Sequence, residues 1–503
     1  MSENRNNREQ AEIKNTEGEG YCRIGNIDGA IAAFNEAISL FPPYAIAKNN
    51  LAVAYWQLGD TNKALKYALE ARREAPDNQD IILNLKAIHY SITDIDDAYR
   101  SYFEYLENTS DQEVIHFLLD LKRKHIQTLH LSEKYAVFVS DRPRSRETKI
   151  AFGLRQLGWD VVLLHRYRIN LNAARFFSHI EQYQNPQDAI RLAAKYNPAV
   201  YHVFSSWDYS TAAAFVSSHP GLIVFDDYDV MAGMIREDFL ARDYPQNMAL
   251  ERFCLENADG LTCRHLELQF AKRHLGYRYR GKRMILLDCC WDNLNLSPVN
   301  AKTDHDELHI VYCGNLDPWP AGTTQADEIS YHRIITSLAR GDVHFHIYPA
   351  FETWMGDHEK EFGGYYELAG KLPLFHLHQP VFADNLIGEL SQYDAGWFDY
   401  HLFLPSMRET YQERLYREFG TGNKWFDYLD AGLPSICRWS RHMELLAKRA
   451  GVYIPITDDL FHDPRKYLNQ FDWVQLKENA RQTRAYYSAR KAAVRLITFY
   501  ESL

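Results

Sequence analysis

TGNKWFDYLDAGLPSIC, residues 421–437, decides how the second half of this 503-residue chain is read. Small and polar residues lead into an aromatic-rich amphipathic run. Gly432 ends that run, and Leu433-Pro434 opens an apolar tail. The pattern predicts a turn, a helix, a tight turn and a strand. The first N–H groups of a helix point outward unbonded, and its dipole favours an anion there. Gly422 lets backbone approach a ligand closely, and Lys424 adds a full positive charge. Thr421, Gly422, Asn423 and Lys424 are therefore candidates to hold a nucleotide diphosphate, with Lys424 also a candidate catalytic cation. The plainer alternative is a surface helix with an ordinary glycine end.

Apolar segments at strand length surround this stretch. "LHIVYCGN", "VHFHIYPA", "LFHLHQP", "YDAGWFDY", "LPSICR" and "VYIPI" predict one α/β set over 301–472, closed by a helical tail over 473–503. Upstream, "KYAVFVS", "WDVVLLH", "AVYHVFS", "GLIVFDD", "GLTCR" and "KRMILLD" predict another over 133–300, with "ETKIAFGLRQLG" as its first helix. The β-loop-α-β order favours parallel sheets. Ligands of such sheets collect at the carboxyl ends of the strands, where the 421–424 turn belongs. Gly314 and Asn315, after "LHIVYC", suit a close turn there. The polar stretch "NLNLSPVNAKTDHDE" reads as the linker between the halves.

Arg142, Arg144, Arg146 and Lys149 cluster after the first strand of the first half. Arginine forks suit phosphate or carboxylate, so Arg142 and Arg144 are assigned to the donor diphosphate and Arg146 to the acceptor side. A solvated basic loop is the alternative. "HVFSSWDYS" and "VFDDYDVMAG" end two further strands. From these, His202, Ser205, Asp208, Asp226, Asp227 and Asp229 are expected to face a cleft. His202 and Asp208 are acceptor-side candidates, and Asp227 or Asp229 is a candidate general base. Ordinary strand-end hydrogen bonding is the alternative for each. His344/His346 and His376/His378 alternate along strands, so each pair shares a face. Two such pairs have zinc chemistry. Strand-end placement near a nucleotide base is the reading adopted, and no metal is expected.

The first hundred residues repeat. Shifted by 34, Tyr21 falls on Tyr55, Gly25 on Gly59, Ala30 on Ala64, Phe34 on Ala68, Ala37 on Ala71 and Pro42 on Pro76. Small residues let the two helices of a hairpin approach, Gly allows the turn, and Pro ends the second helix. A third copy keeps Ala98 and Tyr102 but loses the Gly and the Pro. Residues 1–110 thus resemble tetratricopeptide repeats, which bind a protein or peptide partner or acceptor, or dimerise the chain. "DQEVIHFLLDLKRKH" predicts a linker helix over 111–132, with Asp111 as its N-cap.

Two Rossmann-like halves, a linker and a C-terminal helix resemble the GT-B glycosyltransferases, closest to the group around glycosyltransferase family 4. "NKWFDYLDAGLPSI" resembles that group's K-x-F-E-Y-L-A-A-G-L-P-V-I motif. "KIAFGLRQLGWDVVLL" and "LENADGLTCRHLELQFAKRHLG" resemble two of its other segments, in the right order. The expected fold class is therefore α+α/β multidomain: helical repeats, then an acceptor lobe and a donor lobe facing a cleft. The resemblance implies that Asp427, where relatives carry Glu, meets the donor ribose. It also implies a second acid eight residues earlier, but that position holds Phe419. Glu418 and Glu409, the latter in "LPSMRETYQERLYREFG", are the substitutes, and Glu409 is the catalytic candidate. Relatives often place a base after the first strand of this half. "GNLDPWPAGTTQ" has none, so Lys424, Arg417 or the first half must supply the charge, or the donor site is weakened.

The implied activity is transfer of a sugar from a nucleotide-sugar, such as a UDP-sugar, to an acceptor hydroxyl on protein, glycan or lipid-linked substrate. No cofactor is expected. A catalytically inactive scaffold and a sugar-nucleotide epimerase are the alternatives. The net charge of −11 argues against nucleic acid as the main partner. Seven scattered cysteines read as reduced core thiols. With no apolar run long enough to span a bilayer and no apolar core in "MSENRNNREQAEIKN", a cytoplasmic protein is expected, with a peripheral membrane role left open.

Overall fold

The 34-residue repeat becomes three helical hairpins, α1 (Ser2–Arg23) to α6 (Ile95–Leu106), followed by α7 (Gln112–Leu129). The computed structural model describes residues 2–167, 175–206, 208–234, 245–291, 307–316, 318–322, 330–350, 358–381, 383–399, 421–438 and 440–503. Gly25 and Gly59 adopt left-handed φ angles of 76° and 87° at the hairpin turns. Asn26, Asp60 and Asp94, again 34 apart, each cap the helix that follows through a side-chain oxygen. Ala30, Ala64 and Ala98 are all buried where paired helices touch. The third hairpin departs from the pattern because its partner differs. Tyr99, Tyr102 and Tyr105 pack with Val114, Phe117 and Leu121 of α7 in one cluster. Asp111 caps α7 and accepts from Arg72 Nε at 2.9 Å and from the Tyr105 hydroxyl at 3.0 Å.

The chain forms two compact units, residues 1–131 with 187–197, and residues 132–186 with 198–503. The segment 187–197, expected within the first α/β half, therefore belongs with the repeats. Lys195 pairs with Asp96, Arg191 with Glu104, and the Tyr196 ring meets His125 edge-on.

Among the described residues, the second unit contains two all-parallel sheets. The first has seven strands: β1 (Tyr135–Ser140), β2 (Asp160–His165), β3 (His179–Gln182), β4 (Val200–Ser205), β5 (Ile223–Asp227), β6 (Gly260–Cys263) and β7 (Lys282–Ile285). The second has six: β8 (Leu308–Gly314), β9 (Val343–Pro349), β10 (Phe375–Leu377), β11 (Ala395–Asp399), β12 (Ser435–Arg438) and β13 (Tyr453–Pro455). Their orders are β3-β2-β1-β4-β5-β6-β7 and β10-β9-β8-β11-β12-β13, the same doubly wound arrangement twice. The central strands are buried on both faces, as parallel strands require. β3 was not expected; its sequence HIEQ is half-exposed and carries no apolar run. The linker expected at 293–307 lies, but for Glu307, outside the described residues.

The final helix, Ala489–Ser502, returns to the first lobe and packs on α8 (Ser145–Arg155). Tyr500 bonds His202 Nδ1 at 2.5 Å, and Arg495 Nη2 reaches the Ile285 carbonyl at 2.9 Å. One apolar cluster runs from Phe138 and Ile150 in the first lobe to Phe426 and Leu429 in the second, so the two lobes share a core.

Candidate functional site

Both sheets reverse strand order between the first strand and its later neighbour: β1 and β4 in one, β8 and β11 in the other. Ligands of such sheets bind outside the carboxyl ends at these points. In the first lobe a cavity of about 550 Å³ opens there. Its walls include Arg142 and Arg144 from the β1–α8 turn, Asp208 after β4 and Tyr228 after β5. The Arg142 guanidinium lies 4.6 Å from the Tyr167 ring centre and that of Arg144 4.8 Å from the Tyr228 ring centre. Neither guanidinium forms an ion pair among the described residues. Asp208 accepts from Ser210 N at 3.0 Å and Oγ at 2.6 Å and from Arg166 Nη1 at 3.5 Å, and its side chain stays 45% exposed.

The structure moves several expected cleft residues into the interior. Arg146 is buried. Its guanidinium meets Asp226 at 2.8 and 3.2 Å, Asp288 at 2.9 Å and the Leu286 carbonyl at 2.8 Å, so it ties α8 to the sheet and does not face an acceptor. His202 is fully buried between Tyr500 and the Thr262 hydroxyl, and burial pushes its pKa far down. Asp227 is fully buried beneath the Tyr209 hydroxyl at 3.1 Å; burial and then Glu251 push its pKa well above the carboxylate range. Buried beneath Tyr209, it does not reach an acceptor. Asp229 is paired with Arg264.

In the second lobe, the helix Asn423–Asp430 starts at Gly422 in extended backbone, with no side chain among the described residues capping it. Its first N–H groups are therefore not engaged by a cap. Gly314 ends β8 with φ of 142°, and a Cβ there would lie 2.1 Å from Lys424 Cε. The Lys424 stem thus crosses bare backbone, with its ammonium 5.3 Å from the Tyr312 ring centre. The Tyr312 hydroxyl donates to the Asn315 carbonyl at 2.7 Å and so shapes the turn. Thr421 is buried, and its hydroxyl has no hydrogen-bond partner among the described residues. Tyr428 aims the helix: its hydroxyl donates to the Trp397 carbonyl on β11 at 2.9 Å and accepts from Cys313 N on β8 at 3.3 Å.

The two halves meet at this turn. Asn423 Oδ1 accepts from Arg264 Nη1 at 3.1 Å, and its Nδ2 donates to the Tyr228 hydroxyl. Tyr228 is stacked by two cations, with Arg264 4.7 Å from its ring centre on top of the Arg144 contact. Deeper in, Lys149 Nζ lies 2.7 Å from Asp427 Oδ1. Burial alone would lower the lysine pKa, but Asp427 and then Asp430 raise it, so the ammonium stays charged. Asp430, raised to about 6 chiefly by burial, accepts from Trp291 N. Glu409, with Arg417 and Glu418, lies outside the described residues. Sequence reading missed Arg264 and Tyr228. Their signal was position, since each follows an apolar strand, "GLTC" or "GLIVFDD".

Two facing lobes of this topology, a last helix crossing back to the first lobe, and an uncapped helix start at the second lobe's switch point define a GT-B fold preceded by tetratricopeptide repeats. The family model described as tetratricopeptide repeat matches residues 16–79. No curated protein sequence matches the chain. Among solved structures, the sucrose-phosphate synthase of Thermosynechococcus elongatus superposes with a TM-score of 0.54 at 13% identity, over 74% of this chain and 99% of that one. A mutant O-GlcNAc transferase of Thermobaculum terrenum aligns over 98% and 97% at 12% identity, with a TM-score of 0.41. The N-terminal domain of the Candida albicans trehalose-6-phosphate phosphatase aligns over 74% and 97% at 11% identity, with a TM-score of 0.48. The first of these carries the fold, and nothing is taken from the other two. Among the described residues, no helix is long and apolar enough to cross a membrane.

Proposed function

We propose that the chain is a glycosyltransferase that moves a sugar from a nucleotide-sugar to an acceptor hydroxyl, its repeats binding the acceptor, a partner or a second copy. The observation that carries this is the 421–424 turn. A buried hydroxyl lacking a partner among the described residues, helical N–H groups that no side chain among them caps, and Lys424 laid over Gly314 are chemistry for a diphosphate oxygen. In the reaction, the acceptor oxygen bonds to the anomeric carbon as the bond to the phosphate oxygen breaks, and the diphosphate leaves with the electron pair. Lys424 and the helix start stabilise that charge, so no metal is required. Arg142 and Arg144 face the first-lobe cavity and suit an anionic acceptor or the diphosphate itself. Asp208 is the exposed carboxylate on that wall. With Asp227 buried and Asp229 held in a buried pair by Arg264, the half-exposed Asp208, whose contact to Arg166 is longer at 3.5 Å, or the leaving phosphate takes the acceptor proton. Seven free cysteines are compatible with a cytoplasmic setting.

One observation favours the inactive scaffold as a second reading. Asp427, assigned to the ribose, is already held by Lys149. Thermal shift with UDP-, GDP-, CMP- and dTDP-sugars, followed by donor hydrolysis, separates the readings. Turnover of one donor, with nucleotide affinity lowered roughly tenfold or more in Lys424→Ala, supports transfer. Binding without turnover supports the scaffold. No binding of any nucleotide overturns transfer and the nucleotide site at 421–424.

A further inference from the structure

Five histidines lie on one face of the second lobe's sheet, at the edge formed by β8, β9 and β10. Strand alternation and register put them there. His309 is paired in register with His344 and His346 with His376, while Phe345 and Ile347 fill the core on the opposite face. The rings contact one another directly. His309 Nδ1 is 2.9 Å from His346 Nε2, His344 Nδ1 is 2.9 Å from His376 Nε2, and His346 Nδ1 is 3.0 Å from His378 Nε2. One ring nitrogen from each of His309, His344 and His346 lies within 4.8 Å of the other two. Glu307 Oε2 closes the group, 3.6 Å from His309 Nε2 and 3.8 Å from His344 Nε2.

Three imidazoles and a carboxylate are a zinc-class donor set. Tetrahedral bonds of about 2.0–2.1 Å place ligand atoms roughly 3.3 Å apart, within reach of side-chain rotation from the present spacing. The side chains of His309 and His344 are 14% and 16% exposed, which leaves an entry path. His376 and His378 hold the far nitrogens of His344 and His346, the orienting contact that metal-bound histidines use. His309 and His344 sit near the amino ends of β8 and β9, whereas the 421–424 turn belongs to the carboxyl ends.

We propose that His309, His344 and His346, closed by Glu307, bind one Zn²⁺-class ion that clamps β8 to β9 at the edge of the second lobe, apart from the transfer chemistry. The test uses the full chain without an affinity tag, stripped with EDTA. Zn²⁺ is titrated calorimetrically, and Co²⁺ is followed by its tetrahedral absorption bands. About one ion per chain and a melting temperature that rises with added Zn²⁺ are expected. Both are lost in His309→Gln/His346→Gln and kept in His116→Gln, a histidine of the repeat unit. Glu307→Gln, at an exposed position that leaves folding intact, lowers affinity at least tenfold. Absence of Zn²⁺ binding by the wild-type chain, or equal binding by the double variant or by Glu307→Gln, overturns the site. Nucleotide affinity of the zinc-free chain is unaffected either way, so this result and that for the 421–424 turn stand or fall separately.

Discussion

Thr421 shows how a single side chain can be costly to the fold and still make sense. A buried hydroxyl without a partner forfeits roughly 1–3 kcal/mol. Thr421→Val keeps the shape and removes the orphan, so the unliganded protein should melt no lower than wild type. Its affinity for nucleoside diphosphate should nevertheless fall by several-fold or more. A destabilised variant with unchanged affinity would show that the hydroxyl is structural. Glu267 carries a different residue-scale signature. It is fully buried, and burial raises its pKa from 4.5 to about 7 against the opposing pull of Arg264. A carboxyl with a raised folded pKa favours the folded state at low pH and loses that contribution as pH rises from about 4.5 through 7. Relative to wild type, Glu267→Gln should therefore gain stability across that window, by roughly 3 kcal/mol. Urea melts at pH 4.5 and 8 check it, and parallel curves for the two proteins would refute it.

At the scale of elements, the helix caps explain why the third hairpin survives the loss of its repeat consensus. Asp94 accepts from the backbone N–H groups of Asp96 at 3.1 Å and Asp97 at 3.4 Å, standing where Asn26 and Asp60 stand in the other copies. Asp94→Ala should cost about 1 kcal/mol. That loss should appear in the melting of the repeat unit, while Asp94→Asn, which also caps, should restore it. The helix Asn423–Asp430 is fixed in another way, by close approach. Gly396 on β11 leaves room for the flat Tyr428 ring, since a Cβ there would lie 2.2 Å from the ring. This contact sets the depth at which the uncapped helix start sits against β8.

For the molecule as a whole, a shared core implies shared unfolding. The cluster linking Phe138 to Phe426, the pair Lys149–Asp427 and the returning last helix join both lobes. Arg146→Met in the first lobe leaves Asp226 and Asp288 buried without their cation, at a cost of about 3–5 kcal/mol. Gly396→Ala in the second lobe overpacks Tyr428, at a cost of about 1–3 kcal/mol. Both should shift one common denaturation transition of the two-lobed unit, seen by calorimetry or denaturant. Two transitions, each responding to only one variant, would mean that the lobes are independent.

Much of this molecule was legible in the chain. The 34-residue period specified the hairpins because small residues, turn glycines and caps act locally. Twelve apolar runs specified strands because parallel strands buried on both faces need them. The 421–424 turn was readable because helix starts and glycines carry local chemistry. Which acids and bases reach solvent was not readable. Asp208, Asp226, Asp227 and Asp229 look alike in sequence, and only the packing of Arg146, Tyr209, Arg264 and the last helix against them leaves Asp208 exposed and the other three buried. Likewise, the distance from Lys149 to Asp427 spans 278 positions of chain and exists only once both lobes close on one core. Burial and charge pairing are properties of neighbours brought together by folding, so tertiary structure alone decided them.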